Sequence, residues 1–233
     1  MKVLALAAHP DDVELLCAGT LARLAQVGHD VVLAHMTLGD KGGTASPEEL
    51  AEIRAAEART AAAFVDAHCW GGICGDLELY AEDADQLARV REILDAERPD
   101  VVLTHPTHDY HADHRITARL VERAVGRSGP EADAQEDEIW QMDTLAGVAF
   151  APERYVDITS AVETKQAMIR CHESQMEWMS SYRHTDLTYI IEWIGRWRGM
   201  QAGFPYAEGF APADPTRTSR FDSLVAELPK GRA

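Results

Sequence analysis

The chain has 233 residues, with 22 Lys+Arg against 39 Asp+Glu and a formal charge of −17. An acidic surface repels phosphate, which argues against a nucleic-acid or anionic-membrane partner. Apolar residues at 46% and charged residues at 26% match globular usage and exclude a disordered chain, and the length fits one domain.

Residues 3–8 form an apolar run closed at once by His9-Pro10-Asp11-Asp12. The run is too short for a secretory core and reads as a buried first strand. Residues 12–26 place Leu15, Leu16, Leu21 and Leu24 at helical spacing, with Gly28 closing the helix. Residues 30–38 read as a second strand. The glycine-rich loop 39–43 lacks a P-loop or GxGxxG pattern and reads as a rim loop. Residues 47–64 read as a helix with Ser46 as N-cap and Pro47 in its first turn. A further helix covers 83–97, and residues 100–104 form a third buried strand. A helix follows Asp113 to about residue 126. Residues 127–137, with Gly129-Pro130 and several acids, read as a loop or flap. A strand at 155–158, a helix at 160–176 and a tryptophan-bearing segment at 178–200 follow. Residues 1–210 read as a single domain and 211–233 as a C-terminal arm.

Alternating strands and helices predict an α/β fold, a Rossmann-like three-layer sandwich with a mostly parallel central sheet. No stretch reaches the roughly 20 apolar residues of a membrane span. Cys17, Cys69, Cys74 and Cys171 contain no CxxC pair, so they read as reduced thiols of a cytoplasmic protein.

Two polar clusters begin where strands end. One is His9-Pro10-Asp11-Asp12-Val13-Glu14; the other runs from His105 to His114 and holds four of the ten histidines. Ligands of open α/β sheets bind beyond the carboxyl ends of the strands, at a topological switch point, so both clusters belong on one rim. Imidazole and carboxylate are the usual zinc donors outside thiolate sites, and a catalytic site takes three of them. One His and one Asp from the first cluster and one His from the second would suffice, leaving a spare carboxylate and a spare imidazole for proton transfer. Each motif alone has a plain structural reading: Asp-Asp before a helix is an N-cap, and a His-x-x-His is surface filler.

His9-Pro10-Asp11-Asp12 with Glu14, and His111-Ala112-Asp113-His114, resemble the paired signatures of the PIG-L/LmbE-type zinc-dependent N-deacetylases. Weaker matches are His172-Glu173-Ser174-Gln175 and Tyr206-Ala207-Glu208. The resemblance implies one zinc per chain, or another divalent transition metal, held by His9, Asp12 and His114. It implies Asp11 as general base, His111 as general acid or electrostatic stabiliser, and Asp113 as the residue orienting His111. Arg54 resembles a substrate-contacting arginine, while Tyr110 and Asp76 are further candidates for substrate contact. Some family members carry a tyrosine two residues before the acid-like histidine; here Asp109 stands at that position. The activity implied is removal of an acetyl group from an N-acetylated amino sugar or related small molecule. The alternatives are cleavage of a thiol S-conjugate at the same kind of amide, or a non-catalytic metal- or sugar-binding protein. A nucleotide binder would need a glycine fingerprint after the first strand, which is missing. The partner expected is a small N-acylated substrate, with no nucleic acid and no membrane, and a homo-oligomer is left open.

Overall fold

The first strand, β1 (Lys2–Ala7), has alternate residues buried in two different cores. Val3, Ala5 and Ala7 enter one; Leu4 and Leu6 enter the other. That period of two, with both faces apolar, is what a central parallel strand covered by helices requires. The computed structural model describes residues 1–125, 138–214, 216 and 219–229. Its strands are β1, β2 (Asp30–His35), β3 (His68–Trp70), β4 (Val101–Thr104), β5 (Glu138–Met142), β6 (Arg154–Asp157) and β7 (Ala207–Pro212). They form one sheet in the order β3-β2-β1-β4-β5-β7-β6. The first five are parallel, whereas β7 runs antiparallel to both β5 and β6.

The helices are α1 (Asp12–Leu16), α2 (Ala18–Gln26), α3 (Pro47–Ala62), α4 (Ala84–Glu97), α5 (Ala112–Val125), α6 (Val162–Arg170), α7 (Glu173–Arg183), α8 (Leu187–Ala202) and α9 (Arg220–Glu227). One core packs α1, α2, α6, α8 and α9 on the sheet; the other packs α4 and α5 on the opposite face. The three-layer sandwich with a mostly parallel sheet is the expected architecture. The Ser46 cap is present, its Oγ accepting from Glu49 N at 3.3 Å.

Some elements differ from expectation. Helix 12–26 is broken at Cys17, where φ is −144°. The buried Glu208 carboxylate reaches across from β7 and accepts from Gly19 N at 2.9 Å and Thr20 N at 2.7 Å, so a second helix starts there. Helix 160–176 is likewise two helices, parted at Cys171 and His172. β3, β5 and β7 were not legible as strands. Within the expected arm 211–233, α9 packs into the core, with Phe221 and Leu224 fully buried and Phe221 against Trp140 at 4.6 Å. The expected flap at 127–137 lies outside the described residues. Among those residues no helix is long and apolar enough to cross a membrane.

β1 sits between β2 and β4, with Val3, Leu4 and Ala5 opposite Val101, Val102 and Leu103. The chain leaves β1 toward one side of the sheet and enters β4 from the other, so the order reverses here. The loops after β1 and β4 therefore flank one crevice.

Candidate active site

Asp12, the first residue of α1, is the hub of this crevice. Its Oδ2 accepts from His9 N at 2.8 Å and lies 3.1 Å from His9 Nδ1 and 3.3 Å from His105 Nε2. Its Oδ1 lies 3.3 Å from His114 Nε2. Burial opposes ionisation of Asp12, but His114, His9 and His105 outweigh it and hold the carboxyl well below its usual range. Behind the imidazoles stand two more carboxylates. Asp113 Oδ2 lies 3.2 Å from His9 Nε2, and Asp109 Oδ2 lies 3.1 Å from His114 Nδ1. Burial pulls His9 and His114 down, yet Asp12 above all, with Asp113 behind His9 and Asp109 behind His114, raises them to about 10 and about 9.

The position thus favours positive charge strongly. A divalent ion supplies that charge in place of protons, and carboxylates behind ligating imidazoles are the usual outer support of such an ion. Two sets of donor atoms lie within 4.8 Å of one another: His9, His111 and His114, and Asp12, His105 and His114. The nitrogen and oxygen donors suit zinc or a neighbouring transition metal. The expected His9, Asp12 and His114 are drawn from these two sets and share the contacts given above.

Asp11 holds a backbone that L-residues avoid, with φ 151° and ψ −21°. Strain of this kind persists only where the surroundings enforce it. Here His9 O accepts from both Asp11 N and Asp12 N, at 3.0 and 3.3 Å, tightening the turn around Pro10. Arg54, buried on α3, locks the same turn. Its Nη2 donates to Pro10 O at 2.8 Å and lies 3.1 Å from Asp11 Oδ1, while Nη1 donates to Gly39 O at 3.1 Å. Gly39 (φ 72°) must be glycine, because a Cβ would stand 2.7 Å from the guanidinium. Burial raises the Asp11 pKa, Arg54 opposes the rise, and the Asp12 charge adds to it.

His9, Asp11, Asp12, Arg54, Asp76, Tyr110, His111 and His114 all line one cavity of about 580 Å³. Three of the expected residues also hold the protein's own backbone or neighbours. Arg54 uses Nη1 and Nη2 on Gly39, Pro10 and Asp11, and these contacts position the turn. Both Asp76 oxygens accept from backbone, Gly39 N at 3.0 Å and Lys41 N at 3.2 Å, so it staples the rim loop. Asp113 orients His9 rather than His111, and its second acceptor contact is Leu77 N at 2.8 Å. Only its backbone N–H reaches His111, donating to Nδ1 at 3.3 Å. That bond leaves the neutral His111 ring with its proton on Nε2. Burial, then His9 and His114, lower the His111 pKa.

Further residues complete the site, and the sequence assigned none of them a role in it. His105 is fully buried, accepts from Ala8 N at 3.0 Å and stacks on His114 at 3.8 Å. Asp109, behind His114, is five residues away in a loop, a spacing that carries no periodic signal. His172 is buried 3.4 Å from Glu14, and its charge bears on Asp11. Trp178, Met179, Arg183, Thr185, Leu187 and Ile190 form a wall of the cavity. Trp193 and Trp197, by contrast, stack on each other at 5.5 Å and do not line it.

Residues 4–125 match the family described as PIG-L, GlcNAc-PI de-N-acetylase. The chain belongs to the PIG-L family. A diacetylchitobiose deacetylase of Thermococcus kodakarensis is 30% identical, over 89% of this chain and 81% of its own length. The N,N'-diacetylchitobiose deacetylase structure from Pyrococcus horikoshii superposes with a TM-score of 0.77 at 26% identity, covering 96% of this chain and 88% of that one. A 4-carboxy-2-hydroxymuconate hydratase from Pseudomonas putida KT2440 reaches a TM-score of 0.78 at 22% identity, covering 94% and 99%. Those two neighbours share this fold under different reaction names, so the fold by itself does not set the reaction.

Proposed function

We propose that this PIG-L family chain is a zinc-dependent amide hydrolase, an N-deacetylase that releases acetate from an N-acetylated amino sugar. The observation that carries the reading is the meeting of His9, Asp12 and His114 around one carboxylate hub, with Asp11 strained and held at its edge by Arg54. One zinc per chain, held by His9, Asp12 and His114, would polarise the amide carbonyl and lower the pKa of a water.

Asp11 is the base. Its raised pKa brings it nearer neutrality, where a carboxylate takes a proton from water more readily. Its fixed Oδ1 contact with Arg54 sets the direction of the other oxygen. His111 presents Nε2–H to the cavity and stabilises the oxygen that gains charge as the carbonyl is attacked. In that state it is a neutral donor, in keeping with its lowered pKa, and the stabilising role suits it better than that of a protonated acid. The proton taken by Asp11 then passes to the leaving nitrogen, giving the free amine and the carboxylate. Tyr110, half-exposed, covers the reacting centre, its ring 6.3 Å from that of His111 and 6.1 Å from that of His114.

Acetate release from a panel of N-acetylated amino sugars tests the reading. Turnover should vanish on chelation and return with zinc. Asp11→Asn should retain metal and lose roughly 100-fold or more in kcat. Normal turnover by Asp11→Asn would overturn the base assignment. A chain that released no acetate from any member of the panel, yet hydrated an unsaturated dicarboxylic acid, would overturn the reaction class.

A further inference from the structure

An acetamido group fills a small part of a cavity of about 580 Å³, so the ligand extends beyond the reacting atoms. One of the polar side chains lining the cavity is Gln175, on the first turn of α7 and only 4% exposed. That turn is fixed from α3. Glu57 Oε1 accepts from Ser174 N at 2.8 Å and Oε2 from Ser174 Oγ at 2.7 Å, while Gln175 N donates to His172 O at 3.0 Å.

The carboxamide is held as well. Its Nε2 donates to Gly42 O at 2.6 Å, and a carbonyl only accepts, so the nitrogen end is assigned and Oε1 is the acceptor end. Among the described residues no donor reaches Oε1. A Cβ placed on Gly42 would stand 3.3 Å from Oε1 and 3.6 Å from Arg54 Nη1, so the carboxamide lies beside the guanidinium that holds Asp11. Neighbouring polar groups of the cavity are occupied. Both Asp76 oxygens accept from backbone, Arg54 uses Nη1 and Nη2 on Gly39, Pro10 and Asp11, and the Thr185 hydroxyl donates to Arg183 O at 3.0 Å. A nearly buried acceptor without a donor is costly, and a ligand that brings the donor recovers that cost. Oε1 together with the second Nε2 hydrogen suits a hydroxyl, which donates and accepts, better than an amide N–H, which only donates.

We propose that Gln175 determines specificity by binding the substrate hydroxyl on the carbon next to the one that bears the acetamido group. This rests on the N-deacetylase reading and adds a substrate-binding residue to the same site. Asp11 serves the reacting carbonyl, and Gln175 stands beside Arg54, whose Nη2 is 3.1 Å from Asp11 Oδ1, so the ligand group it reaches is a near neighbour of the acetamido group. Because Gly42 already fixes the carboxamide, little side-chain freedom is lost when the hydroxyl arrives.

Three compounds test it: methyl N-acetyl-β-glucosaminide, its 3-deoxy analogue and its 4-deoxy analogue. With the zinc-loaded enzyme, the parent should exceed the 3-deoxy compound by about tenfold in kcat/KM, because that analogue leaves the buried amide unpaired. Gln175→Met should bring the ratio close to one, and Gln175→Asn, which draws the amide back by one methylene, should lower it. The wild-type ratio needs no variant and stands even where Gln175→Met does not fold. Equal use of parent and 3-deoxy compound by the wild type, a ratio that persists in both variants, or an equal loss on all three compounds in Gln175→Met would overturn the proposal. So would a Gln175-dependent preference that falls on the 4-deoxy compound instead. Calorimetric titration of zinc-loaded Asp11→Asn, with and without Gln175→Met, separates the two claims. Tighter binding of the parent than of the 3-deoxy compound, abolished by Gln175→Met, without acetate release from the wild type would keep the role of Gln175 and sink the deacetylase reading. Acetate release without discrimination would do the reverse, and neither binding nor release would overturn both.

Discussion

Arg54 and Asp11 show how one buried cation can set a reactive geometry. The guanidinium ties together Pro10 O, Gly39 O and the Asp11 carboxylate, so it fixes both the backbone strain and the side-chain direction of the base. Arg54→Gln should therefore lower kcat by about 100-fold, the scale of a misplacement near 1 Å, with a smaller change in KM. Added guanidinium should restore part of the rate in steady-state assays. A rise in KM alone would mark Arg54 as a substrate contact instead. His35, at the end of β2, offers a separate test of pH behaviour. Burial, assisted by the Arg54 charge, depresses its pKa from 6.5 to about 3. The folded protein keeps it neutral while the unfolded chain protonates near 6.5. Its contribution to stability is thus complete above that pH and erodes as the pH falls toward 3, by up to about 1.4 kcal/mol per unit. Urea unfolding at about pH 7.5 and about pH 5 should cost the wild type roughly 2 kcal/mol more than His35→Leu, and equal losses would refute this.

Among the elements, the break between α1 and α2 matters most for the site, because it lets the short α1 carry Asp12 into the crevice while α2 follows the sheet. Glu208 enforces the break by capping Gly19 N and Thr20 N and pairing with the buried Lys165 at 2.5 Å. Glu208→Gln leaves Lys165 buried without its counter-charge, and should cost roughly 3–5 kcal/mol in denaturant unfolding. Adding Lys165→Met should recover much of that loss, and failure to do so would mean that the pair itself is not what holds the break. No local pattern in residues 12–26 announces it, since the cap arrives from 188 residues away. Strands β1, β2 and β4 were legible because burial on both faces leaves continuous apolar runs. β5 (EIWQM) mixes polar with apolar residues, β7 (AEGFAP) carries a glycine and ends on a proline, and β3 has three residues, so none gives such a run.

For the whole molecule, the convergence of the His9 and His114 loops was legible because it follows from topology: adjacent parallel strands end on one rim, at the point where strand order reverses. What packs opposite them was not legible. The α7–α8 wall, and the engagement of Arg54, Asp76 and Asp113 with backbone and neighbours, depend on tertiary contacts that no spacing in the chain encodes. The proposed chemistry requires His9, Asp12 and His114 to act as one metal site. The direct measurement is the metal content of purified protein by elemental analysis after dialysis, for the wild type and for His114→Ala. The wild type should hold about one equivalent of a divalent transition metal, zinc foremost, and a folded His114→Ala should lose most of it. A wild type that binds no stoichiometric metal, or a His114→Ala variant that keeps its full equivalent, would contradict it.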